Sequence, residues 1–181
     1  SGQGANPEYV LRYILTKNGL DPDKDVTLHF VEDNDALTAA VVQGTAKVAM
    51  VPEPKVTACL TQMKAAEKTV PTVALNMTDE WNKAAGDSSA LMMGCVIARK
   101  DFVEKNGAAV KAFLKEYETS INTVKGDAQA ASVWCETYGI IPKAAIAQQA
   151  IPRCGLTFVT GATMKQQLSG YLEVLFQANP K

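Results

Sequence analysis

The sequence predicts an α/β fold over residues 1–98, built on a mostly parallel sheet, followed by an all-helical part over residues 99–181. Three observations lead there. Helical patterns alternate with short apolar runs through the first half, as βαβ units require. One of those runs, Ala46 to Val51, is almost wholly apolar, the mark of a strand buried on both faces. Beyond Arg99 the apolar residues recur only at helical spacings.

Taken in order, Asn6 reads as an N-cap with Pro7 at the first helical position. Val10, Leu11, Ile14 and Leu15 form its apolar stripe, and Asn18-Gly19 ends the helix. After the loop LDPDKD, the run Val26, Leu28, Phe30 alternates with Thr27 and His29 as a strand does. Asp33-Asn34-Asp35 then caps a small-residue helix from Ala36 to Gln43, which Gly44 stops. PEPKVTACLTQMKAA is a further helix with prolines at its start, VPTVALN a further strand, and Thr78 caps a short helix holding Trp81. Leu91 to Ala98 is the last expected strand. Val110, Phe113, Leu114, Tyr117, Ile121 and Val124 define a long helix, with helical segments near Ala128 to Thr137 and Pro142 to Gln149. Met164, Leu168, Tyr171, Leu172 and Leu175 stripe the final one.

Composition narrows the function. The chain of 181 residues carries 18 basic and 19 acidic side chains, with no basic stripe interleaved with aromatics, so nucleic acid is not an expected partner. No apolar run approaches the roughly 20 residues that span a bilayer. The four cysteines, Cys59, Cys95, Cys135 and Cys154, lack zinc spacing, and His29 is the only histidine, so neither a metal nor a cofactor is expected. Cys135 and Cys154 flank a short helical segment and would either bridge in an oxidising compartment or remain two buried, inert thiols. Asp21, Asp23 and Asp25 alternate like the start of a calcium loop, but Val26 stands where that loop needs glycine. His29 has no serine or cysteine motif to pair with, so no catalytic set is expected.

In an open parallel sheet, ligands lie beyond the carboxyl ends of the strands. That rule selects the loop Gly2, Gln3, Gly4, Ala5, Asn6, the Glu32 to Asp35 turn, the Pro52-Glu53-Pro54 turn and Asn76. Two glycines before a helix start would admit a carboxylate, sulfonate or phosphate to free N–H groups; a simple capped helix start is the plainer alternative. Glu53, stiffly held between prolines, would accept hydrogen bonds from an amine or heterocycle, or serve only as a first-turn carboxylate. Asn76 offers a donor and an acceptor, or a turn.

The segments GQGANPEYVLRYIL, NGLDPDKDV, ALTAAVVQGTAKVAMVPEP, GCVIARKDFVEKNGAAVKAFLKEY and IPRCGLTFVTG together resemble substrate-binding proteins of ABC importers, in the branch that binds nitrate, sulfonates, taurine and thiamine precursors. The resemblance implies a type II periplasmic-binding-protein-like fold. Residues 1–98 would be a three-layer α/β sandwich lobe, and residues 99–181 helices that pack on a first lobe missing from this sequence. It also implies an extracytoplasmic protein, periplasmic or a cell-surface lipoprotein whose signal and anchor lie outside these residues. Such a protein captures a small anionic or heterocyclic solute and delivers it to membrane permease subunits. A biosynthetic enzyme on the same fold is the alternative.

Overall fold

The computed structural model describes residues 2–180; Ser1 and Lys181 lie outside the described residues. Among the described residues there are nine α-helices, two short 3-10 turns and no β-strand. The helices are α1 (Asn6–Lys17), α2 (Asn34–Gln43), α3 (Lys55–Ala65), α4 (Met77–Ala85), α5 (Lys100–Lys105), α6 (Gly107–Gly126), α7 (Ala128–Thr137), α8 (Ala144–Ala150) and α9 (Gly161–Ala178). The turns cover Gly86–Ser88 and Ile151–Arg153.

This overturns the α/β expectation. A three-layer sandwich lobe needs a sheet at its centre, and here there is none, so the type II periplasmic-binding-protein-like fold and membership of the importer binding-protein family both fall. The physical reason is visible in residues 26–30. Val26, Leu28 and Phe30 are half-buried while Thr27 and His29 are exposed, so the alternation read from the sequence is real. What is absent is a neighbouring ladder. Among the described residues, no backbone–backbone hydrogen bond engages residues 26–30, 70–75 or 91–98. Alternation reports which side of a segment faces apolar matter; only a second strand makes it a sheet.

The chain forms two compact units, each containing sequence from both sides of residue 98. The first gathers the chain up to Leu37, Thr72–Cys95 and the chain from Val159 on. Its core is Trp81 on α4, fully buried, with Val10 and Ile14 of α1 and Tyr171 of α9. The indole packs on Tyr13 at 4.8 Å between ring centroids and on Tyr171 at 5.2 Å, and its N–H donates to Ser89 Oγ at 3.2 Å. Each buried aromatic pair contributes about 0.5–1.5 kcal/mol beyond its burial. α9 meets the Gly86–Ser88 turn at backbone distance, because a Cβ on Gly170 would lie 2.2 Å from the Ser88 carbonyl oxygen.

The second unit comprises Thr38–Pro71 and Val96–Phe158. Ala131, Ile141, Ala147 and Ile151 form its centre, with Val124, Ala128, Cys135 and Ile146 packed around them. The two alanines let α7 and α8 approach closely. Side chains close the helix starts: Asp127 accepts from the Ala130 N–H at 2.9 Å, and Glu136, at the end of α7, accepts from the Ala144 N–H at 2.8 Å.

Candidate functional site

In the second unit the Pro52-Glu53-Pro54 turn starts α3, and the Ile151–Arg153 turn follows α8, which packs on α3. These elements bring together Glu53, Thr57 and Arg153. Glu53 Oε2 accepts from the Thr57 backbone N–H at 3.2 Å and from its hydroxyl at 2.7 Å, while Oε1 pairs with Arg153 Nε at 2.9 Å. Arg153 Nη2 donates to the Thr57 hydroxyl oxygen, closing the triangle. The hydroxyl therefore donates to one charged group and accepts from the other, which fixes its rotor. The Glu53 side chain is 11% exposed and that of Arg153 is 44% exposed, so the carboxylate forms the base of the site and the guanidinium its open face.

Beside this triangle lies a cavity of about 160 Å³, lined by Thr57, Leu60, Thr61 and Lys64 of α3, Gln149 of α8, Val70 and Arg153. The four α3 residues stand at i, i+3, i+4 and i+7, one face of a helix. The lining holds two cations and no carboxylate. A guanidinium has five N–H donors; Glu53 and Thr57 engage two of them. The cavity thus offers N–H groups of Arg153, the Lys64 ammonium, a hydroxyl and an amide to a small anion.

The remaining predicted site residues have local roles. Gly2 and Gly4 take positive φ values of 81° and 69°, as the glycine reading requires. Gly4 N–H, however, donates to Glu8 Oε2 at 2.8 Å, Ala5 N–H donates to Gly2 O at 3.2 Å, and Tyr9 Oη donates to Gly4 O at 3.1 Å. The chain's own carboxylate occupies the position an external anion would take. Glu8 is consequently held below the ordinary carboxylate range, first by the Gly4 amide and then by Arg12, which pairs with it at 2.7 Å. The helix cap is Ala5, with Asn6 already inside α1, and Gln3 is an exposed turn residue. Asn76, in the first unit, caps α4 by accepting from Thr78 N–H at 2.9 Å, so it replaces Thr78 as the cap. Among the described residues no group of His, Cys, Asp or Glu side chains could hold a metal ion. The acidic loop closes on itself, Asp21 pairing with Lys24 at 2.7 Å and Asp25 accepting from the Asp21 N–H. All four cysteines are free thiols.

Sequence reasoning singled out Glu53 but not its partners. Arg153 stands about a hundred residues away in the chain from Glu53, in a segment read only for its resemblance. The polar residues Thr57, Thr61 and Lys64 on one face of α3 were the available local signal, with Thr57 buried together with Cys59 and Met63.

The fold and site together define an all-helical protein with a small cationic cavity. Comparison with protein-family models, with curated proteins and with solved structures finds no match to the chain.

Proposed function

We propose that this chain binds a small anionic solute and does not transform it. The observation that carries the reading is the Arg153 guanidinium, held in place by Glu53 and Thr57 with further N–H groups directed to a cavity that Lys64 also lines. A fixed fork of donors matches the oxygens of a nitrate, sulfonate or carboxylate better than a mobile ammonium does. The volume, about 160 Å³, restricts the solute to a few heavy atoms beyond the anionic group. Delivery of that solute to membrane permease subunits outside the cytoplasm is the wider role in the proposal; it rests on capture of an unconverted solute in the Arg153 cavity, not on the overturned family resemblance.

Isothermal titration with nitrate, sulfate and taurine tests the binding step, with mass spectrometry of each solute after incubation. Saturable heat from at least one anion, lost in Arg153→Lys and weakened in Lys64→Met, is the expected result. Chemical conversion of a bound solute overturns the non-catalytic part; absence of binding by every anion overturns the whole.

A further inference from the structure

The first unit holds a separate cavity of about 290 Å³, lined by Asn82, Gly86, Asp87, Ser89, Ala90 and Gln167. Its chemistry differs from that of the Arg153 cavity. The lining has one carboxylate, two primary amides, one hydroxyl and no cation, so it disfavours an anion. The side chains of Asn82 and Asp87 are exposed and that of Gln167 is half-buried, so their amides and carboxylate stand at the open side of the cavity. They present paired donors and acceptors to whatever enters it.

The walls are held in place. Gly170 sets α9 against the backbone of Ser88, and Gln166 Nε2 donates to Asp87 O at 3.4 Å, so the helix that carries Gln167 and the turn that carries Asp87 keep a fixed spacing. Ser89, only 5% exposed, forms the base. Its oxygen accepts the indole N–H of the clamped Trp81, which leaves the hydroxyl proton free to donate into the cavity.

We infer that this cavity binds a small neutral polyol, of the size of a cyclic hexitol or a monosaccharide. Each hydroxyl of such a ligand both donates and accepts, which is what an amide–carboxylate–amide lining satisfies, and neighbouring hydroxyls can donate to the two oxygens of Asp87. The site is independent of the proposed anion site in the second unit.

The test uses the full chain. In Trp134→Phe, Trp81 is the sole tryptophan, and its hydrogen bond to Ser89 makes its emission a reporter of the cavity. Titration with myo-inositol and with glucose should give a saturable emission change, matched by calorimetry of the unmodified chain. Asn82→Leu and Asp87→Asn should each weaken binding about tenfold, as loss of one hydrogen-bonding partner predicts, with circular dichroism unchanged. Lys64→Met should leave it unaltered. Absence of saturation by both polyols, tighter binding of choline than of either polyol, or parental affinity in both cavity variants overturns the inference.

Discussion

The Thr57 hydroxyl stands between two charges, and its removal separates their joint geometry from their individual presence. Thr57→Val keeps the shape of the side chain but leaves Glu53 and Arg153 each one hydrogen bond short, a loss of roughly 1–3 kcal/mol for partly buried charged partners. Urea unfolding should register that loss, and any anion affinity should fall with it. Glu8 carries a pH signature. Its folded-state pKa is lowered by the Gly4 amide and Arg12, so the stability it contributes is present above the unfolded carboxylate value of about 4.3 and disappears as pH falls through the lower folded value. Glu8→Gln should therefore be less stable than the parent at pH 7, by roughly 1 kcal/mol for a helix-start carboxylate, and the two should converge in acid; thermal melts from pH 7 to pH 3 check it. The thiols sort by burial: Cys95 is exposed, while burial raises the Cys59 and Cys154 thiols, the latter also through Glu53 and Cys135. An aromatic disulfide reagent at pH 8 should label Cys95 first. At this scale the sequence revealed side chains with local tasks. The prolines around Glu53 were visible, and a cap before α4 was read two residues late, at Thr78, whereas the Arg153 contact depends on how α8 packs on α3, which no local pattern encodes.

At the scale of elements, helices were legible because each is stabilised within its own segment. The breakers Asn18-Gly19 and Gly44 stand at the observed ends of α1 and α2, and the stripes in the second half mark α6 and α9. Caps shifted by a residue or two: Ala5 for Asn6, and Asn76 for Thr78. Two helical glycines give opposite predictions. At Gly126 a Cβ meets nothing within 4 Å, so Gly126→Ala should stabilise by up to about 1 kcal/mol through helix propensity. At Gly170 the same propensity gain is outweighed by collision with the Ser88 carbonyl, since overpacking against backbone costs roughly 1–3 kcal/mol or more. Gly170→Ala should lower the melting temperature and Gly126→Ala raise it, a difference of sign that calorimetry resolves directly.

For the whole molecule, the expected sheet failed for a reason the helices escaped. A strand is stabilised by a neighbour that can be anywhere in the chain, and the apolar runs Val26–Phe30, Ala46–Val51 and Leu91–Ala98 contain no signal for whether that neighbour exists. Several of their side chains lie open to water, with Val48 93%, Ile97 87% and Met93 80% exposed. Ile97→Lys and Met93→Lys should accordingly raise the soluble fraction at high protein concentration while changing stability by no more than about 0.5 kcal/mol, as light scattering and thermal melts would register. The interleaving of the two units has a consequence for synthesis. A ribosome completes every segment of the second unit when Phe158 emerges, at which point the first unit still lacks α9. Trp81 must therefore wait for Tyr171 to arrive, so α1 and α4 reach their final packing only after every segment of the second unit has been made.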